Sequence, residues 1–292
     1  MVAVILLLFA LQRAGTIPDV LTTAALPRRM VESSGVAVSR AHPGLLWTHN
    51  DSGDDAYVYA TDLAGTDRGT VRIRGAKAVD WEDITLAGCP TQRATCLYIA
   101  DTGDNNNRRK SVVVYAVPEP APPADSGTAR SARAAALRLK YSSGPDDVEA
   151  IYVGPRDGAV YLVSKGRRGV VRLYQVPRSA WGEDTTVTVT ALQDLPIKTF
   201  TALGRLVTGA AIRRDGRLVA VRTYTEIYFF VPEADGRLTP SRQPVCNVTG
   251  LEVQGEGIDF LNDSTLVLTS EGSQRKLASV HSVRCAARQR EE

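Results

Sequence analysis

A chain of 292 residues holds one large domain or two ordinary ones, and its 43% apolar and 23% charged residues are globular composition, which excludes a disordered polymer. The 35 Lys and Arg are spread among 32 Asp and Glu, leaving a formal net charge of +3 without a basic block. Nothing in that balance points to a nucleic-acid surface.

Residues 1–14 open with the apolar run Met1 to Leu11, followed by Gln12, Arg13 and Ala14. The run has the length of a signal-peptide core and is too short to cross a bilayer, which takes roughly 20 apolar residues. Export to a secreted or extracytoplasmic location is therefore expected. A basic leader and a small-x-small cleavage site are missing, so a start upstream and an uncleaved anchor are the alternatives. No Cys follows the run, which argues against a lipoprotein.

Beyond the leader, a short motif recurs five times: a polar or acidic residue, a spacer, usually Glu, a small residue and a β-rich run. The copies are Glu32-Ser33-Ser34-Gly35-Val36, Asp80-Trp81-Glu82-Asp83-Ile84, Asp147-Val148-Glu149-Ala150-Ile151, Val207-Thr208-Gly209-Ala210-Ala211 and Gln254-Gly255-Glu256-Gly257-Ile258. With Ser34, Glu82, Glu149, Gly209 and Glu256 as equivalents, the intervals are 48, 67, 60 and 47 residues, each suited to four strands. A second strand follows each copy, at Leu45 to Asp51, Leu97 to Asp101, Val160 to Lys165, Leu218 to Arg222 and Leu266 to Glu271. Third strands follow at Ala56 to Ala60, Val112 to Val117, Val171 to Val176, Ile227 to Val231 and Leu277 to Val280, rich in β-branched and aromatic residues. Fourth strands are expected at Thr70 to Arg74, Ala136 to Tyr141, Thr186 to Leu192 and Pro244 to Val248, with Val20 to Leu26 completing the last repeat from the N-terminus.

Helical periodicity is not sustained anywhere in this region, so the class is all-β, and repeats of this kind predict a β-propeller. Five four-stranded blades are favoured over six, because a sixth would have to lie in the Pro-rich stretch Pro118 to Gly127 or the Ala- and Arg-rich segment after it. A single propeller domain over residues 19–286 and a polar tail over 287–292 are the expected organisation. The four cysteines fit an oxidising compartment. They allow three connectivities, with four free thiols as the alternative; Cys89–Cys96 and Cys246–Cys285 are the expected pairs. The short bridge would contribute about 2.5 kcal/mol and the long one about 4 kcal/mol, the latter locking the ring at its closure.

In a propeller the first strand of each blade lines the channel and the second returns beside it. The starts of first strands and the ends of second strands therefore share one channel mouth. That places Glu32, Asp80, Glu82, Asp147, Glu149 and Glu256 together with Asp51, Asp54, Asp101, Asp104, Lys165, Arg222 and Glu271. Lys165 and Arg222 neutralise two charges at most, and the remaining carboxylates repel one another unless a cation joins them. Ca²⁺, which takes about six to eight oxygen ligands, is the expected cofactor, with Asp51, Asp80, Glu82, Asp101, Asp147, Glu149 and Glu271 as candidate ligands. Asn50-Asp51-Ser52-Gly53-Asp54 and Asp101-Thr102-Gly103-Asp104-Asn105 have oxygen-dense, Gly-bent loops, although Asp, Asn, Ser and Gly serve ordinary β-turns equally. Trp81 is expected to pack, and His49 to be a ligand, a base or a hydrogen-bonding group. Only His42, His49 and His281 are present, which leaves a Ser-His-acid triad poorly supported, and Cys-His zinc spacing is absent.

The series His49 to Asp54, Asp80 to Ile84, Ala100 to Asn105 with Arg108, Val148-Glu149-Ala150, Thr208-Gly209-Ala210, Ala220 to Tyr224 and Ser270-Glu271-Gly272 resembles a family of largely uncharacterised, exported bacterial propeller proteins. More distantly, the Asp-x-Glu motif at Asp80, Glu82, Asp147 and Glu149 resembles that of propeller phytases and phytase-like esterase domains. That resemblance implies calcium-bound carboxylates and phosphoester hydrolysis. Two functions follow as expectations. One is a metal-assisted hydrolase of phosphoesters or esters, with Glu82, Glu149 and Glu256 holding metal or acting as base and Lys165 and Arg222 stabilising negative charge. The other is a non-catalytic module, a monomer without an integral membrane domain, that binds a small molecule, glycan or peptide at the mouth.

Overall fold

The structure is a computed structural model that describes residues 15–182, 185–199 and 203–285; the expected leader and polar tail lie outside the described residues. Its strands form five sheets arranged as the blades of a propeller. The innermost strands are Ser33–Val38, Trp81–Gly88, Val148–Val153, Val207–Ile212 and Gln254–Phe260. Side chains alternate across a strand, so each blade offers an apolar face to both neighbours. In blade 2, Leu97 and Ile99 pack against blade 1 while Tyr98 and Ala100 pack against blade 3. Five such apolar cores, one at each blade junction, hold the ring together. Strands buried on both faces read as continuous apolar runs, which is why the repeats carry Leu-Tyr-Ile-Ala and Val-Tyr-Leu-Val rather than polar alternation.

Asp19–Ala25 pairs antiparallel with Ser279–Arg284, so the N-terminal strand completes blade 5 as expected and closes the ring. The bridges Cys89–Cys96 and Cys246–Cys285 are both formed, the second tying blade 4 to blade 5. Outer strands depart from expectation in two places. The segment expected as the fourth strand of blade 3 divides: Val187–Val189 joins blade 2 in parallel, and Ala191–Leu195 is the true fourth strand. Val189 is buried in the junction between blades 2 and 3, and that burial draws the segment outward. In blade 4, Leu238–Pro240 and Cys246–Asn247 both pair with the third strand, and Pro240 and Pro244 lack the N–H needed to continue one ladder. The segment after the Pro-rich loop, Thr128–Arg133, adds a parallel outer strand to blade 1.

Every innermost strand carries a register irregularity near its start, and its position is the same in all five blades. The displaced residues are Ser34, Glu82, Glu149, Thr208 and the Glu256-Gly257 pair. The fourth equivalent is thus Thr208 rather than Gly209, because the β-bulge, not the small residue, sets the register. Such bulges re-aim side chains at the rims of rings. In four blades the chain turns into the channel with a small residue at or just after the bulge: Gly35, Ala150, Gly209 or Gly257. A Cβ at Gly35 would lie 2.7 Å from the Ile84 nitrogen, and one at Gly209 2.7 Å from the Glu256 carbonyl, so the strands meet there without room for a side chain. Blade 2 alone places a carboxylate in this layer. Asp83 accepts N–H bonds from Ile84 at 2.8 Å, Ile151 at 2.9 Å and Ala210 at 3.2 Å, which pins three blades to one buried side chain.

Candidate metal centre at the channel mouth

The bulges aim Glu82 toward Asp51 at the second-strand end of blade 1 and Glu149 toward Lys165 at the second-strand end of its own blade. Two groups of carboxylates result, Asp51 with Asp80 and Glu82, and Glu82 with Asp147 and Glu149, each with one oxygen per residue within 4.8 Å of the others. Glu82 belongs to both, so acids from three blades form one continuous cluster. Gly103 makes the space for it, since a Cβ there would overlap the carboxylates of Glu82 and Asp80. All donors are hard oxygens, the set that suits Ca²⁺ rather than a soft metal. Asp101 lies beside this cluster and accepts the Asp80 N–H at 3.1 Å.

Cations border the acids on one side. Lys165 Nζ lies 2.7 Å from Glu149 Oε1, Arg167 Nε 2.8 Å from Asp147 Oδ2, and an Arg109 Nη 2.8 Å from Asp101 Oδ1. Burial alone would lower the Lys165 ammonium pKa, but Glu149, Tyr224 and Glu82 carry it above its ordinary value. Those cations do not balance the cluster. Burial, then Asp51, pushes Asp80 up to about 6, and burial, then Asp51 and Glu32, pushes Glu271 to about 7. Burial followed by the charge of Glu149 drives Glu82 and Glu256 well above the usual carboxylate range. Glu149 also rises, through burial, with Lys165 opposing. Glu256 receives one bond from Gln254 Nε2 at 2.9 Å.

Other expected mouth residues hold the rim rather than face the cluster. Asn50 accepts the Glu32 N–H at 3.2 Å and donates to Asp54 Oδ2 at 2.9 Å, and Tyr59 donates to the same carboxylate at 2.6 Å. Glu32 is exposed and pairs by backbone with Glu271. Asp104 caps its own loop, accepting the N–H groups of Arg108 and Arg109 at 2.8 Å each, and its N–H reaches Asp147 Oδ1 at 2.9 Å. Asn105 receives a bond from Arg167, while the Arg108 side chain is exposed. His49 is wholly buried, edge-on to Trp81 with ring centroids 5.7 Å apart, and burial lowers its pKa to about 4. Arg222 is 0% exposed, ion-paired with Glu252 and bonded to the Gly257 carbonyl at 2.7 Å, so its charge is spent inside blades 4 and 5.

Sequence reasoning passed over Arg109, Arg167, Tyr224, Glu252 and Asp83. Arg167 lay in plain view two residues after Lys165, and Asp83 was the one residue that broke the small-residue rule of its position. Glu252 left no such signal, because it precedes the fifth motif and pairs with Arg222 only through folding.

No family model matches the chain, and no curated protein sequence matches it. Among solved structures, it is similar to the PQQ-bound form of an aldose sugar dehydrogenase from Streptomyces coelicolor, with 11% identity, a TM-score of 0.52, and cover of 93% of this chain and 99% of that one. A gluconolactonase from Xanthomonas campestris gives 14% identity and a TM-score of 0.49 over 94% of this chain and 88% of that one. At such identity the likeness speaks to fold alone.

Proposed function

We propose that the protein is an exported propeller whose mouth binds a hard cation, calcium by its donor set, and hydrolyses phosphoesters or esters there. The observation that carries this reading is the pair of carboxylate groups sharing Glu82, with Lys165 set against Glu149. Asp51, Asp80, Glu82, Asp147 and Glu149 would hold the ion, which polarises a phosphoryl or carbonyl oxygen and acidifies a bound water. Lys165 remains charged at any ordinary pH and stabilises negative charge developing on the substrate. Burial and the charge of Glu149 favour the protonated form of Glu256, which makes it the residue to deliver a proton to a leaving oxygen. Both disulfides fit an oxidising compartment, and among the described residues no helix is long and apolar enough to cross a membrane.

The test uses Glu82→Gln and Glu149→Gln with a nitrophenyl phosphate, a nitrophenyl ester and a lactone as probes. Turnover should fall by about 100-fold or more in each variant, and the melting temperature of Glu82→Gln in chelator should be unchanged. Equal turnover in wild type and variants would overturn catalysis at this site. A second reading, a module that binds a small molecule, glycan or peptide, is favoured by the way Asp101 and Asp147 are already held by Arg109, Arg167 and backbone N–H groups. It predicts no turnover on any probe but a lower melting temperature in both variants.

A further inference from the structure

The innermost strands that begin at the acidic mouth end at Val38, Gly88, Val153, Ile212 and Phe260, and these ends ring the opposite opening of the channel. Two adjoining cavities of about 630 and 190 Å³ lie there and share Arg40, Ile212, Arg213 and Arg214 in their walls. The smaller is lined by Arg40, Arg156, Arg178, Arg213 and Arg214 and by no acid. Arginines from three blades therefore meet in one concave space.

Their charge is only partly offset. Arg213 is paired with Asp215 at 2.7 Å. Asp259 acts on both Arg40 and Arg214, but its oxygens are taken by the N–H groups of Val38 and Phe260, each at 2.7 Å. Arg178 donates to the carbonyls of Pro90 at 2.8 Å and Cys89 at 3.2 Å, which fixes the side chain and leaves its charge intact. The nearby Asp157 accepts from Tyr161 at 2.7 Å and Ala159 at 3.0 Å. Glu119 receives Ser39 and Trp47. Among the described residues no ion pair joins Arg40, Arg156, Arg178 or Arg214 to an acid. Burial lowers the Arg40 guanidinium pKa, with Asp259 and Glu119 opposing and Arg214 adding to the effect, so two like charges are held close and share Asp259 between them.

We propose that this opening is a second binding site, for a tetrahedral oxyanion of the phosphate class. Guanidinium forks match such oxygens in pairs, and several converging on a recess give geometric as well as electrostatic selection. The larger cavity, whose wall holds Phe260, Leu261 and Pro43 and also the carboxylates of Asp259 and Asp263, takes the body of a phosphorylated small molecule. Nothing in this site depends on the acidic mouth.

The experiment is calorimetric titration of pyrophosphate, with sulfate as a second arm, into chelator-treated protein at about 0.15 M salt, where long-range charge effects are screened. Saturable binding of one equivalent is expected, at least tenfold weaker in the Arg40→Gln/Arg214→Gln double variant at an unchanged melting temperature. Gly88 supplies an independent variant, because a Cβ there enters open space. Gly88→Glu should abolish binding, while Glu82→Gln at the mouth should leave it intact. Absence of saturable binding to either anion, or equal affinity in wild type and both pocket variants, would overturn the proposal.

Discussion

Asp83 occupies the layer that the other blades fill with Gly35, Ala150, Gly209 and Gly257, and its carboxylate collects N–H groups from blades 2, 3 and 4. Burial pushes its carboxyl well above the usual range in spite of those donors. Removing it leaves buried N–H groups without an acceptor, a cost of about 1–3 kcal/mol per group. Asp83→Ala should therefore lose about 3–5 kcal/mol in denaturant unfolding, and Asp83→Asn, which keeps one acceptor oxygen, clearly less. Equal loss in the two variants would show that the carboxylate's charge, rather than its shape or a single acceptor oxygen, holds the channel. The residue types of the site were legible because the bulge repeats with Glu at one position. Their partners were not: Arg109 with Asp101, and Arg222 with Glu252, depend on loop paths that no repeat encodes.

At the scale of strands, the three inner strands of each blade follow from apolar runs that must be buried on both faces, and the sequence locates them within a few residues. Outer strands are weaker because their exposed faces admit any residue. Thr128–Arg133, with Thr128, Arg130 and Arg133 paired beside blade 1, has no apolar face to announce it. Closure by Asp19–Ala25 was readable only because the fifth repeat lacked a partner. The Cys246–Cys285 bridge lies at that closure, spanning 39 residues against 7 for Cys89–Cys96. Replacing the long pair with Ser should cost about 4 kcal/mol and the short pair about 2.5 kcal/mol in equilibrium unfolding. A larger loss from the short pair would place the weak point of the ring elsewhere.

For the molecule as a whole, the channel is electrically polar, with carboxylates at one opening and arginines at the other. That arrangement has a signature in pH. Asp80 near 6 and Glu271 near 7 lie above unfolded carboxylates at about 4, so between those values the folded chain retains protons that the unfolded chain has released. Stability of the metal-free protein should then fall as pH rises from about 5 to about 7.5. A bound cation replaces the protons and removes the decline. The decisive measurement is the melting temperature across that range with excess calcium and with chelator, alongside elemental analysis of the protein as isolated. A curve that falls with pH in chelator and is lifted by calcium most strongly at pH 7.5 is the expected result. Superimposable melts with and without calcium at pH 7.5 would contradict a cation site at the mouth.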